Sequence, residues 1–134
     1  MPTYSAKADR QARGLEGEIS LFKNSGTLLP IVHSILELIK SHDMVLATGH
    51  VSTTESIALV SEARDISIQR VVVTQGTHSL CRTERGMTVE DMRTLAGMGA
   101  FIEHCLHVVM PTTHRMKPKD LAKAILDVGH EKCI

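Results

Sequence analysis

Eight histidines are present in this chain of 134 residues, and four of them lie at or after the ends of three short apolar runs. His50 comes just after residues 44–48, His78 a few residues after 69–74, and Glu103, His104 and His107 close the run 100–106. In parallel α/β folds the functional site forms beyond the carboxyl ends of the strands, so side chains on successive strand ends converge. Neutral imidazoles together with carboxylates are the usual ligands of zinc and similar divalent ions. An ion held there lowers the pKa of bound water and supplies a hydroxide nucleophile. A divalent metal, zinc first, is the cofactor this pattern points to, with His50 and His78 as ligands. A single histidine at a strand end is more often a hydrogen-bonding loop residue; it is the recurrence that raises the metal reading. His50 carries most weight because the small Gly49 before it leaves room at the mouth. Within a regular strand only one of Glu103 and His104 can point inward, so one is a substrate or supporting contact and the other faces a helix. His114 lies in a loop from which it could touch a small-molecule substrate. His33, His42 and His130 lie on or after helices and read as structural.

Two other candidates are weaker. Cys105 could be a nucleophile, but no partner is evident, and a buried cysteine is usually a small apolar residue. The stretch 48–52 before a helix could take a phosphate, yet it lacks the glycine richness of a phosphate loop.

The elements that position these residues are read from periodicity and punctuation. Residues 18–22 alternate weakly, as a strand does, and 23–26 form a turn. Pro30 sits at a first helical position, and Ile31, Val32, Ile35, Leu36, Leu38 and Ile39 continue an amphipathic helix to Ser41 or His42. Residues 44–48 suit a buried parallel strand. Ser52 and Glu55 form a capping box for a second helix. Residues 69–74, with Val71, Val72 and Val73, give the clearest strand. Thr88 and Asp91 resemble another capping box, and the helix after them stops at Gly99. Residues 100–106 predict a third strand, followed by a loop over 107–116. Pro118 opens a last helix that Gly129 closes, and residues 131–134 look like the start of one more strand. Alternation of this kind implies an α/β protein with a parallel sheet of β/α repeats and right-handed crossovers. Residues 1–15 read as a lead-in segment and 16–134 as the folded domain.

Fifteen basic and fifteen acidic residues cancel to zero formal charge, and no run of one sign stands out. That sets aside a nucleic-acid-binding face. No apolar run approaches the roughly 18 residues of a membrane span. Three cysteines without close pairing argue against a disulfide framework. With no secretory leader visible, a reducing cytoplasmic setting is expected.

Leu46, Ala47, Thr48, Gly49 and His50, followed by the capped helix, resemble a branch of predicted metal-dependent hydrolases in the amidohydrolase superfamily. Leu28, Leu29 and Pro30, the stretch 99–105 and the closing stretch 128–134 carry the same resemblance, over about residues 16–134. The resemblance implies a partial (β/α)8 barrel of the TIM type, with this chain supplying about strands four to eight. It also implies metal-activated water attacking a C–N or C–O bond of a small-molecule substrate. In that family a ligand histidine directly follows the strand matching residues 71–74; here Gln75 stands there, with His78 three residues later. The family's early His-x-His pair and its late aspartate have no counterpart in this sequence. A non-catalytic half-barrel that works through a partner, or through homo-oligomers joined at exposed barrel edges, is therefore the rival expectation.

Overall fold

The computed structural model describes residue 14 and residues 20–23, 26–77, 87–111 and 116–134. Helix α1 spans Pro30–Ser41, strand β1 Leu46–Ala47, helix α2 Thr53–Asp65, strand β2 Val71–Val73, helix α3 Val89–Gly97, strand β3 Phe101–Ile102 and helix α4 Pro118–Val128. Short 3-10 turns lie at Leu106–Val109 and His130–Lys132.

Each helix starts where local chemistry allows it. Pro30 and Pro118 occupy first-turn positions whose N–H would be unsatisfied anyway. Ser52 caps α2 and Thr88 caps α3, and in both the third helical residue, Glu55 or Asp91, returns a bond to the cap N–H. Gly129, at φ 107°, ends α4 in a conformation costly for any residue with a Cβ.

The three strands form a parallel sheet in consecutive order, with Leu46 beside Val71, Ala47 beside Val72, and Val73 beside Ile102. Cys133 bridges Ile102 in parallel, and Ile134 exchanges backbone bonds with Ile102 and His104. A fourth strand position thus begins where residues 131–134 predicted one.

The sheet is covered on one face. Leu46, Val71, Val73, Ala100 and Ile102 alternate onto that face and join one core with Val32 and Leu36 of α1, Val60 and Ala63 of α2, and Met92 and Leu95 of α3. On the other face Val45, Ala47 and Phe101 are exposed and Val72 is half-buried. Lys132 reaches over the Phe101 ring, 5.3 Å from its centre. The helix layer follows chain order. His33 of α1 meets Glu62 of α2 at 3.0 Å, and Arg93 of α3 donates to the Asp127 carbonyl of α4 at 2.6 Å. Helices α1 and α4 are therefore the two flanks, and both show apolar residues outward: Ile31, Ile35 and Leu38 on α1, Leu126 on α4.

Two expectations are corrected. The strand expected over 100–106 ends at Ile102, because Leu106–Val109 turns into a 3-10 helix. The segment ending at Phe22 does not enter the parallel sheet; Phe22 forms an antiparallel bridge to Leu28 across the turn. Of the expected strand 18–22, residues 18 and 19 lie outside the described residues. Among the described residues no helix is long and apolar enough to cross a membrane.

Candidate site at the carboxyl ends of the strands

The carboxyl ends of β1, β2 and β3 carry a polar rim built on backbone geometry. Past β1, the buried Thr48 accepts the Thr74 N–H on its hydroxyl at 3.1 Å, and the Thr74 hydroxyl accepts the Gly49 N–H at 3.2 Å. Gly49 sits at φ 67°, which turns the chain outward and leaves His50 half-buried on the rim. His50 has no hydrogen-bond partner among the described residues.

Past β2, Gln75 adopts φ 57°, a left-handed conformation that disfavours a residue with a long side chain. Two contacts from Glu103, just past β3, hold it. The Glu103 carboxylate accepts the Gln75 N–H at 3.0 Å, and the Glu103 carbonyl accepts the Gly76 N–H at 2.9 Å. Gly76 is required by closeness: a Cβ there would lie 2.7 Å from the Ile102 Cγ2 atom. Backbone strain over-determined by its neighbours is a recurring property of functional sites.

Past β3, Glu103 and His104 divide as alternation demands. Glu103 faces the Gln75 turn, whereas His104 points to the helix side. Its Nδ1 lies 3.3 Å from the Thr77 hydroxyl and its Nε2 3.2 Å from the Cys133 thiol. Burial lowers the His104 pKa, so the ring is neutral near pH 7. Burial pushes the Cys133 thiol up, and the Glu131 charge adds to it. The thiol is also within donor reach of the Gly129 and Ile125 carbonyls, at 3.4 and 3.9 Å. His104 and Cys133 thus form a neutral link between β3 and the end of α4. Cys133 was not singled out from sequence, since nothing local marks a contact 29 residues away.

Cys105 has a partner that sequence did not reveal. Burial and the Glu103 charge raise its thiol pKa, and a side-chain bond from Gln75 opposes them. The phosphate reading of residues 48–52 meets an obstacle, because the Glu55 carboxylate already occupies the N-terminus of α2. It accepts the Ser52 N–H and hydroxyl at 2.9 and 2.7 Å, the Leu21 N–H at 2.7 Å and the Ser20 hydroxyl at 2.8 Å.

The strand ends thus bring Gln75 and Glu103 into contact. His50 lies beyond β1 and Glu103 just past β3, with β2 between those two strands. His78 and His114 lie outside the described residues. Among the described residues no three of His, Cys, Asp and Glu gather into a group that could hold a metal ion. These residues alone therefore do not make the metal site that the resemblance implies. A small cleft lined by Lys40, Asp43, Ser67 and Arg70 lies at the opposite, amino end of the sheet, away from the rim.

A model for a family of unknown function, DUF6282, matches residues 1–103. That span includes His50, Gln75, His78 and Glu103. No curated protein and no solved structure matches the chain.

Proposed function

Starting from a chain that belongs to DUF6282, we propose that it carries part of the active site of a metal-dependent, amidohydrolase-like hydrolase, as the later strands of a (β/α)8 barrel. The observation that carries this reading is the Gln75–Glu103 contact: a strained turn at a strand's carboxyl end, fixed by a carboxylate from the next strand. Consecutive parallel order and helices on one face only are what a segment of such a barrel would have. In this reading His50 and His78 are metal ligands, and further ligands come from beyond the described residues. Glu103 and Gln75 shape the rim for a small polar substrate, and His104, neutral and anchored at both ring nitrogens, supports Glu103 from behind.

The open sheet face favours the second reading, a non-catalytic half-barrel that works through association. All-parallel sheets are almost always covered on both faces, and here Val45, Ala47 and Phe101 are exposed.

Elemental analysis of the purified chain separates the two. Near-stoichiometric zinc, manganese or iron that is lost in both His50→Ala and His78→Ala supports the hydrolase. Absence of metal after loading with each ion, while the fold is intact, removes it and leaves the half-barrel.

A further inference from the structure

We propose that the cleft at the amino end of the sheet is a second site, which binds a small oxyanion of the phosphate type, free or borne by a larger molecule. The inference is independent of the hydrolase reading, since it concerns the end of the sheet opposite the rim. The cleft lies where α1 gives way to β1 and α2 to β2, and Lys40, Asp43, Ser67, Gln69 and Arg70 line it. Its volume of about 80 Å³ exceeds the roughly 10–15 Å³ that one water needs, and suits one small tetrahedral ion.

Two cations line this cleft and a third stands behind its wall. Lys40 has no ion-pair partner among the described residues. Arg70 pairs with Asp43, whose side chain is 92% exposed. Arg64, in the last turn of α2, donates from Nη1 to the carbonyls of Ile68 and Gln69, both at 3.0 Å, and so holds the segment that forms one wall. Its Nε and Nη2 atoms are buried without a hydrogen-bond partner. Among the described residues no carboxylate lies within ion-pair reach of this guanidinium. Arginine cannot shed its proton, so a guanidinium whose edge is buried and unpaired calls for a counter-charge nearby. Three cations against one solvent-exposed carboxylate leave the cleft short of negative charge, while the whole chain is neutral.

The turns that shape the cleft carry polar side chains where glycine is the usual residue. Helices α1, α2 and α3 end alike. The Asp43 and Met44 amides donate to the Lys40 and Ile39 carbonyls, those of Ser67 and Ile68 to Arg64 and Ala63, and those of Gly99 and Ala100 to Ala96 and Leu95. Such an ending needs one left-handed residue, most often glycine. After α3 it is Gly99, at φ 94°, but on the cleft it is Asp43 at 50° and Ser67 at 71°. Both positions on the cleft thus accept a backbone cost that glycine would avoid. Strained residues of this kind cluster at ligand clamps.

Each lining group then has a task. Asp43 orients Arg70, which donates to its carbonyl and pairs with its carboxylate. The Lys40 ammonium, the Ser67 hydroxyl and the remaining Arg70 N–H groups donate to the oxyanion, and charge-assisted bonds of this kind are the strong ones. Gln69 is loosely held, with its Oε1 3.4 Å from the Arg64 Nη1 and its Nε2 3.4 Å from the Ser67 carbonyl, so its amide can turn to the ion. Arg64 supplies fixed positive charge from behind the wall.

The test is titration of the full chain with inorganic phosphate at constant ionic strength, followed through backbone amide NMR signals. Saturable shifts are expected at Asp43, Met44 and residues 67–70, with a Kd on the order of 1 mM. Lys40→Gln and Ser67→Gly should each weaken binding at least about threefold. Ser67→Gly should also raise the melting temperature of the unliganded chain, because it relieves the left-handed strain. Lost affinity together with gained stability is a result that a purely structural role for Ser67 would not produce. Arg64→Gln should abolish binding, but it also removes the bonds to Ile68 and Gln69, so the other two variants decide. Tighter binding of a phosphomonoester than of the free ion makes the ligand the phosphate end of a larger molecule, and equal binding makes it the ion itself; both keep the site. The proposal is overturned by the absence of saturable shifts, by equal shifts with chloride, by shifts centred on residues 49–52 at the opposite rim, or by binding indifferent to both Lys40→Gln and Ser67→Gly.

Discussion

The Glu103 carboxylate accepts the Gln75 N–H at 3.0 Å while Gln75 sits at φ 57°, so a side chain just past β3 fixes a left-handed residue beyond β2. The carboxylate offsets a backbone cost of about 1–2 kcal/mol for a non-glycine residue in that region. Gln75→Gly should relieve the strain and be neutral or stabilising by about 0.5–1 kcal/mol, whereas Gln75→Val should destabilise by more than 1 kcal/mol. Urea unfolding of the two variants checks this. A Gly variant as weak as the Val variant would mean that the Gln75 side chain, through Cys105, matters more than its backbone.

Gly76 follows that turn and meets Ile102 and Met92 closely, with a Cβ position 2.7 Å from the Ile102 Cγ2 atom and 3.0 Å from the Met92 sulfur. Gly76→Ala should cost about 1–3 kcal/mol by overpacking. The double variant Gly76→Ala with Ile102→Leu, which lacks the second γ carbon, should recover part of it, which thermal melting would read.

Glu55 is buried at the start of α2 and its pKa is lowered. Burial alone would raise it, but the Ser52 N–H and hydroxyl, the Leu21 N–H and the Ser20 hydroxyl outweigh that. A carboxyl with a depressed folded pKa stabilises the fold above its unfolded value and loses that contribution as pH falls through the folded one. Glu55→Gln should therefore cost about 1–3 kcal/mol at pH 7, with the gap to the wild type closing below roughly pH 4. Stability against pH for both chains is the measurement, and a constant gap would contradict the account.

His104 works in the same direction in a higher window. Burial lowers its folded pKa beneath the unfolded value, so the unfolded chain binds the proton more readily. Stability should fall as pH drops from about 6.5 towards the folded pKa. His104→Gln, which keeps hydrogen-bonding ends but does not titrate near neutrality, should flatten the curve between about pH 7 and 5. An unchanged slope would show that another group carries it.

Leu36 and Ile35 are neighbours with opposite exposure, 1% and 48%. Leu36→Ala should cost about 2–5 kcal/mol of folding stability. Ile35→Ala should cost under about 0.5 kcal/mol in a dilute monomeric sample.

The helices were legible in the sequence because their signals are local. Both capping boxes, the two first-turn prolines and the closing glycine appear where residue type and spacing put them. The parallel β/α order was legible too. The strands were read too long, since an apolar run such as 100–106 does not announce that Leu106–Val109 turns back as a 3-10 helix. The antiparallel pairing of Phe22 with Leu28 depends on the turn between them and not on the alternation before it. The rim was the least legible part. Thr48 with Thr74, Gln75 with Glu103 and His104 with Cys133 join residues 26 to 29 positions apart, and only the sheet register brings them together. The sequence shows Gln75 where the resembled family has a histidine, but its carboxylate anchor exists only in three dimensions.

The two threonine hydroxyls beyond β1 and β2 prolong the ladder after the backbone pairing has ended. The amides of Gly49 and Thr74 should accordingly exchange with solvent deuterium far more slowly than an ordinary loop allows. The chain then leaves each strand from a stiff collar, and whatever flexibility a ligand requires must reside further along, in the side chains that project from it.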